Sequence, residues 1–420
     1  MSQEGASADN GKFFTRPIAI IFTTVFIDLV GFGIVIPALP FYVENPQFAA
    51  TPLDIGLLFA SYSAMQFIFA PILGSLSDKY GRRPILFFSI LGSAIGYLFI
   101  GFAWALWMVF LGRIIAGVTG GNISTAQAYI ADVTTRKNRA KGMGLFGAAF
   151  GLGFIFGPAI GGILSRYGIH VPFLFAAGLS FANAIALYFI LPESLKRNAE
   201  QPVRFRANRF AEMLESLQDS RFSIITLIYF LLVTAFSIMT ASFALYTLFR
   251  FGYDAEATGY LFAYIGVLAV VLQGYLFGKL AHRFGEAWLI VVGSFILGGG
   301  LFVLPYVGPA YGGLSLLLVV LAFFAFGNSL SSPALTSLAS KVASENEQGK
   351  ALGLMQSGAS LARAIGPVIA GVLLNNSVGK LDDHTILRTF WTAAVIMAVT
   401  FLIAAFAAGR ITSEHGLGQG

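Results

Sequence analysis

The 420-residue chain contains no cysteine, which excludes disulfide staples, thiol catalysis and cysteine-ligated metal sites. Charge is scarce too. Asp, Glu, Lys and Arg make up 11% of the residues, where a soluble globular domain carries about 25%. The four histidines, at 170, 282, 384 and 415, are too scattered to form a metal cluster. No Gly-x-x-x-x-Gly-Lys-Ser/Thr loop occurs, so ATP-driven work by this chain has no phosphate cradle. Gly142-Met-Gly144-Leu-Phe-Gly147 has the spacing of a dinucleotide-binding turn, but a basic loop precedes it where a strand is required, and the match is coincidental. Neither an enzyme nor a cofactor-binding protein is expected.

What the chain has in abundance is apolar surface. It is 57% hydrophobic, with 48 glycines and 42 phenylalanines, a composition suited to close helix packing in lipid. A bilayer core of about 30 Å needs roughly 20 apolar helical residues. Twelve stretches qualify, at 17–40, 54–76, 84–103, 105–128, 141–165, 170–191, 222–248, 256–279, 286–306, 313–337, 349–374 and 386–408. They are continuously apolar, without the period-two alternation of a membrane β-barrel. The first sixteen residues are polar, and the run after Pro17 is too long for a signal-peptide core, so it reads as an uncleaved first span.

The net charge of +6 does not imply nucleic acid binding, because the cations flank the apolar runs. With the N-terminus placed inside, 20 of the 26 Lys and Arg fall on the cytoplasmic side. Outside lie only Arg166, Arg250, Lys380 and Arg388, while Arg113 and Arg363 fall within spans. That asymmetry puts both termini in the cytoplasm. The longest polar stretch, 193–220, separates residues 1–192 from 221–420. Within it Phe205, Phe210, Met213, Leu214 and Leu217 recur at helical spacing beside Arg204, Arg206 and Arg209. An amphipathic helix on the anionic inner leaflet and a plain basic linker both fit.

The two halves echo one another. Gly74-Ser-Leu-Ser-Asp78-Lys-Tyr-Gly81 returns 204 residues later as Gly278-Lys-Leu-Ala-His282-Arg-Phe-Gly285. Gly157-Pro158-Ala-Ile-Gly161-Gly162 returns 209 residues later as Gly366-Pro367-Val-Ile-Ala-Gly371, an offset that sets Asp132 opposite Lys341. Duplicated halves of this kind suit two bundles rocking about a midplane site.

Asp28 is the one carboxylate well inside a span. It lies about eleven residues from the inner end, roughly 16 Å deep. Arg113 lies about eight residues from the outer end of its span, at the same level in the bilayer. An isolated charged acid there costs several kcal/mol, so Asp28 must pair, face water or bind a proton. A static ion pair with Arg113 and a proton-coupling pair both satisfy that demand. Arg363, about fourteen residues into the eleventh span, either receives an anionic substrate group or snorkels to the interface. Phe32, Tyr62, Gln66, Asn122, Gln127 and Gln356 are the other candidates for a substrate cavity, each of the polar ones also able to bond a neighbouring helix.

Three motifs give the chain a resemblance to the twelve-span drug:proton antiporters of the major facilitator superfamily, the branch of tetracycline and multidrug efflux proteins. They are Gly74-Ser-Leu-Ser-Asp78-Lys-Tyr-Gly81-Arg82-Arg83-Pro84 between spans two and three, Leu111-Gly112-Arg113-Ile-Ile-Ala-Gly117-Val-Thr-Gly120-Gly121 in span four, and Gly147-Ala-Ala-Phe-Gly151-Leu-Gly153-Phe-Ile-Phe-Gly157-Pro158-Ala-Ile-Gly161-Gly162 in span five. The resemblance implies an all-α fold of two pseudo-symmetric six-helix bundles. It also implies that Asp78 and Arg83, with Asp132 as partner acid, form a conformational switch with Gly74, Gly81 and Arg82. Gly153, Gly157, Pro158, Gly161 and Gly162 would be the antiporter motif. One departure stands out: the third-span aspartate of tetracycline exporters corresponds here to Gly96.

These readings lead to a multi-pass protein of the bacterial inner membrane that exports amphiphilic, drug-like molecules in exchange for protons. Its partners would be a small-molecule substrate, protons and membrane lipids, with the chain as a monomer. A sugar, organic anion or lipid carrier on the same scaffold is the alternative, and a receptor or channel a remote one.

Overall fold

The computed structural model describes residues 15–134, 138–195, 220–342, 348–376 and 381–415. The Phe205–Leu217 segment lies outside them. Among the described residues, twelve helices are long and apolar enough to cross a bilayer: α1 Arg16–Val43, α2 Pro52–Tyr80, α3 Arg82–Gly101, α4 Leu106–Val133, α5 Ala148–Ser165, α6 Val171–Ile190, α7 Phe222–Phe251, α8 Ala255–Phe284, α9 Glu286–Tyr306, α10 Gly313–Val342, α11 Leu352–Leu374 and α12 Asp383–Ala407. An even number of crossings returns the chain to its starting side. The end bearing both termini is called proximal below, and the opposite end distal.

The helices form two six-helix bundles with the same internal plan. In the first, α1 packs on α5 and α6, and α3 on α4 and α6; in the second, α7 packs on α11 and α12, and α9 on α10 and α12. The two largest contacts between the bundles are α2 with α11 and α5 with α8, again related by a shift of six helices, and α1 adds smaller ones with α7 and α8. Lipid is as apolar as leucine, so helix association rests on close van der Waals approach, which glycines permit.

The duplication extends to single hydrogen bonds. The Tyr42 hydroxyl donates to the Ile100 carbonyl at 2.8 Å and reaches that of Ala103 at 3.3 Å. The Tyr246 hydroxyl, 204 residues on, does the same with Leu304 at 3.0 Å and Val307 at 2.8 Å. Each staple ties the distal end of a bundle's first helix to that of its third, adding a donor to carbonyls in the last turn, where intrahelical partners run out. Tyr42→Phe and Tyr246→Phe should each cost about 1 kcal/mol and add nearly independently, because the sites lie in different bundles. Thermal unfolding in detergent tests this, and a shift at one site with none at the other would contradict the symmetry.

The even-numbered helices begin at the distal end, several with a side-chain cap. Thr51 and Asp54 form a capping box before α2, Asp254 accepts from the Ala257 backbone N–H at 2.9 Å, and Asp382 accepts from that of Thr385 at 2.7 Å. The Thr385 N–H holds the Asp382 carboxyl below its ordinary range, aided by the Thr385 hydroxyl and Asn376. A depressed pKa stabilises above the unfolded-state value, so this contribution fades as pH falls through the acid range.

The bundles are sealed against each other distally. A β-carbon on Gly56 would lie 2.2 Å from the Pro367 carbonyl oxygen, one on Gly371 2.9 Å from Leu53 Cα, and one on Gly259 2.6 Å from the Pro158 carbonyl oxygen. Arg166, just beyond α5, forms an ion pair with Glu256 of α8 across the same seam. Toward the proximal end the seam opens. Past Val270 of α8, which faces Gly151, comes a π-turn at Leu272–Leu276, and none of its residues is buried. Gly274, Gly278 and, on α11, Gly353 have no neighbour within 4 Å of an added β-carbon. Gln273 of this turn is exposed. Among the described residues the bundles meet distally and stand apart proximally.

Candidate functional site

The close approach of α2 to α4 sets the centre of the site. A β-carbon on Gly117 would lie 2.5 Å from the Tyr62 carbonyl oxygen, and one on Gly120 2.6 Å from the Tyr62 hydroxyl. Tyr62 is therefore wedged between the two helices with its ring 5.3 Å from that of Phe32. The α4 helix breaks here, between Thr119 and Asn122. The Gly120 carbonyl at the break accepts from Gln66 Nε2 at 2.9 Å, and the same amide reaches the Tyr62 hydroxyl at 3.3 Å. Gln66 is thus a buried support for Tyr62.

Arg113 is buried, with 1% exposure. Its Nε donates to the Leu58 carbonyl at 3.1 Å, and the guanidinium stands 4.4 Å from the Tyr62 ring centroid and 5.7 Å from that of Phe59. Cation–π contact and a carbonyl thus solvate the charge. The expected ion pair with Asp28 is absent, because these neutral partners already hold the arginine. Asp28 is half-buried and accepts from Asn122 Nδ2 at 3.2 Å. Asn122, expected at a substrate cavity, is instead 4% exposed and turned toward the acid. Asp28 lines a small crevice with Thr24, Leu86 and Ile90. Tyr62 lies within electrostatic range of Asp28, Arg113 and Arg363 together.

Three groups, one near this centre and two at the ends of the molecule, carried no signal in the sequence. Tyr97 is 3% exposed and within electrostatic range of Asp28 and Arg113, yet a tyrosine in an apolar run looks like core. Glu193 and the Arg166–Glu256 pair sit at helix ends whose partners are more than eighty residues away. The glycine at position 96 also gains a reason. Its β-carbon would lie 2.7 Å from the Gly112 carbonyl oxygen, so a carboxylate at this position would force α3 from α4.

On α11, Arg363 is half-buried, donating from Nη2 to Ser360 Oγ one turn away at 3.0 Å. It is within electrostatic range of Tyr229 and Tyr62. Gln127 and Gln356 are half-buried and make no side-chain hydrogen bond among the described residues.

Two of the sequence motifs lie at contacts between helices. On α5, a β-carbon at Gly153 would lie 2.7 Å from Leu29 Cβ, one at Gly157 2.6 Å from Gly33 Cα, and one at Gly161 2.7 Å from the Ile34 carbonyl oxygen. That stripe grips α1 just distal to Asp28. Pro158 and Gly162 face the other way, against Gly259 and Glu256 of α8. Pro158 has no N–H, which frees the Phe154 carbonyl, and Gly266 packs beside that oxygen. One glycine-rich helix therefore touches both the helix of the acid and the opposite bundle.

At the proximal end Gly81, with φ 110°, turns the chain between α2 and α3, a conformation that suits glycine. Buried Gly74 precedes it by two turns of α2, and its carbonyl accepts from Ser77 Oγ. Arg82, not Arg83, is the hub that follows. Its guanidinium meets Asp78 at 2.5 Å, Asp132 at 3.1 Å and Ser77 Oγ at 2.6 Å, while its backbone N–H donates to Glu193 at 2.9 Å. The expected pairing of Arg83 with the acids is not made: Arg83 leans on the Tyr188 ring and donates to the Tyr188 carbonyl. The second bundle repeats the staple with its charges exchanged. Gly285, with φ 77°, precedes Glu286, and Glu286 pairs with Lys341 and accepts from Ser337 at 3.0 Å. Reversing either charge alone (Glu286→Lys or Lys341→Glu) should reduce transport and stability, and the double swap should restore both. An additive double variant would show that the two side chains do not interact.

Comparison with known proteins agrees with this architecture. The sequence profile of the Major Facilitator Superfamily matches residues 21–312 and 276–417. A class H tetracycline resistance protein of Pasteurella multocida is 34% identical over 413 residues, spanning 96% of this chain and 98% of that protein. Multidrug resistance protein 2 of Bacillus subtilis (strain 168) is 30% identical, spanning 86% of this chain and 89% of the relative. The crystal structure of the human organic anion transporter MFSD10 (TETRAN) has the same fold, with a TM-score of 0.70, 23% identity, and coverage of 93% of this chain and 99% of that one. With twelve spans in two matched bundles and a family profile running through both, this chain belongs to the Major Facilitator Superfamily.

Proposed function

We propose that the chain is a proton-driven exporter of small amphiphilic, drug-like compounds, lying in the bacterial inner membrane with both termini and the open proximal face in the cytoplasm. The observation that carries this reading is the state of Asp28: a midspan acid without an ion pair among the described residues, while the charge of the buried Arg113 is solvated elsewhere. Such a carboxylate is free to bind and release a proton as the bundles alternate. A proton shifts that equilibrium only if its affinity for Asp28 differs between the two openings. The α5 stripe supplies a physical route, because any change in how α5 meets α8 alters its grip on α1 beside the acid.

The substrate enters from the proximal side toward Phe32, Tyr62, Gln127, Gln356 and Arg363. The Arg82 staple with Asp78 and Asp132 acts as a switch that favours one opening. The energy source is the proton gradient and no cofactor takes part; the protein is a monomeric carrier contacting lipid, not an enzyme. The tetracycline and multidrug resistance proteins among its relatives support export over uptake. Purified protein in proteoliposomes tests the reading. Adding tetracycline or ethidium under an imposed pH gradient should move protons in proportion to substrate moved. Substrate movement with no proton flux would refute proton coupling, and no movement of either compound would refute drug export.

A further inference from the structure

On the outer side of the second bundle, two ring pairs bridge α9 and α12. Phe302 stacks on Trp391, with centroids 5.3 Å apart and planes at 8°, and Phe295 meets Phe401 at 5.5 Å. Between the pairs the residues are small: Gly298 and Gly299 of α9 stand opposite Ala394, Val395 and Ala398 of α12. The rings act as struts at the two ends, and the small residues leave a slot of about 360 Å³ between them. A β-carbon on Gly298 would lie 3.2 Å from Met397 Cβ, which closes the floor, whereas one on Gly299 would meet nothing within 4 Å. Both helices pack chiefly within their own bundle, and the rim residues Phe295 and Val395 are 65% and 61% exposed, so the slot opens to lipid.

The duplicated plan does not demand this slot. At the offset of 204 that relates α9 to α3, Ser294, Gly298 and Gly299 correspond to Ile90, Ala94 and Ile95. The first bundle thus carries side chains where the second has glycine, although α3 packs on α6 as α9 does on α12.

Depth and lining decide what fills it. Gly298 and Gly299 lie roughly 11 Å from the distal end of α9, just distal to the middle of a core about 30 Å thick. The hydrocarbon core holds no water to occupy such a space. The lining would not retain any, because its polar side-chain atoms, Ser294 Oγ and Trp391 Nε1, are buried with no hydrogen-bond partner among the described residues. An empty slot forfeits the dispersion contacts on which helix packing in lipid depends. From Phe295 to Phe302 it is about 10 Å long, less than the half-core of about 15 Å that an extended acyl chain crosses. It therefore takes a chain end, and chain ends are what lie near the midplane.

We infer that the slot between α9 and α12 is a binding site for the terminal segment of a distal-leaflet phospholipid acyl chain, which completes the packing of the second bundle. Recognition is by shape and depth, and the headgroup plays no part. The site is on the opposite side of the bundle from α7 and α8 and is separate from the Asp28 centre.

Gly299→Leu fills the slot from α9 without a clash and exchanges a helical glycine for a good helix former. Ala398→Phe fills it from α12 and takes its place if the first variant fails to fold. With the exposed Trp104, Trp107 and Trp288 replaced by Phe, Trp391 alone reports on the slot. In vesicles containing a small fraction of phosphatidylcholine brominated near the chain end, Trp391 should be quenched about twofold more than in the same protein carrying Gly299→Leu, as mass action at a preferred site requires. In detergent, dioleoyl-phosphatidylcholine should raise the unfolding temperature of the wild type by several degrees, and the short-chain dioctanoyl lipid by less. Neither lipid should raise that of Gly299→Leu. Equal quenching with and without Gly299→Leu, or equal stabilisation of both proteins by the long-chain lipid, overturns the assignment. Stabilisation of the wild type by naphthalene but not by the dioleoyl lipid overturns it in favour of a compact aromatic ligand. A dimer that Gly299→Leu dissociates overturns it in favour of a second copy of the chain.

Discussion

Asp28→Asn is expected to abolish uphill, gradient-driven transport while leaving downhill counterflow of labelled for unlabelled substrate within a fewfold of wild type. Asparagine is nearly isosteric with aspartate and still bonds the Asn122 amide, which donates at 3.2 Å to the carboxylate now. The packing around α1 is therefore preserved, including the Gly33–Gly157 contact one to two turns away. What disappears is the proton. A carrier whose bundles can exchange openings but bind no proton still lets substrate equilibrate and cannot concentrate it, because nothing links the second gradient to the first. The split between the two assays is the discriminating result. Loss of both would indicate a structural role for Asp28, and retention of both would remove it from coupling. Arg113 makes a useful contrast. Arg113→Gln should reduce stability and both assays together, since its guanidinium supports Tyr62 through the ring and Leu58 through a hydrogen bond.

The second large effect is expected at Arg82. Its side chain is 9% exposed and joins the ends of α2 and α4 while its backbone binds Glu193 after α6. Arg82→Gln would leave Asp78 and Asp132 without their shared cation, while the backbone N–H bond to Glu193 would remain. Breaking a buried ion pair costs about 3–5 kcal/mol, and the lower end applies because the two aspartates are 42% and 28% exposed. We expect a fall of several degrees in the unfolding temperature and a loss of transport of tenfold or more. Arg83→Gln should be milder, since Arg83 contributes a ring contact and one carbonyl bond. Raising ionic strength should weaken the exposed Asp78 arm more than the rest. Equal losses at 82 and 83 would contradict the hub and favour the pairing implied by family resemblance.

The contrast between these adjacent arginines shows where reading a sequence stops. Positions 82 and 83 carry the same residue type in the same loop, and spacing alone cannot say which guanidinium turns inward. The positive φ of Gly81 and the carboxylate of Glu193 decide it, by fixing the direction in which α3 starts. Asp28 and Arg113 give a similar lesson. Depth along two helices places both near the midplane, but rotation about each helix axis is invisible to depth. Arg113 is turned toward α2 and Asp28 toward Asn122. Tyr97 was hidden for another reason: its place against α1, where its ring and hydroxyl would lie about 3.5 Å from a β-carbon at Gly31, depends on helix packing that nothing in its own neighbourhood of residues encodes.

The sequence by itself determined the twelve spans, because a lipid core demands about twenty apolar residues per crossing and the chain supplies that run twelve times. It determined the duplicated plan, because offsets near 204 and 209 preserve turns and glycines in register. It also revealed one unusual acid and two unusual arginines, since charge in a bilayer is costly wherever it sits. Only the tertiary structure decided who partners whom: Asp28 with Asn122, Arg113 with Tyr62, Arg82 with two aspartates, and Glu286 with Lys341 in mirrored sign. The physical reason is that hydropathy acts along the chain, residue by residue, whereas hydrogen bonds and ion pairs depend on a few ångströms and on helix rotation, which are set only when the bundles pack.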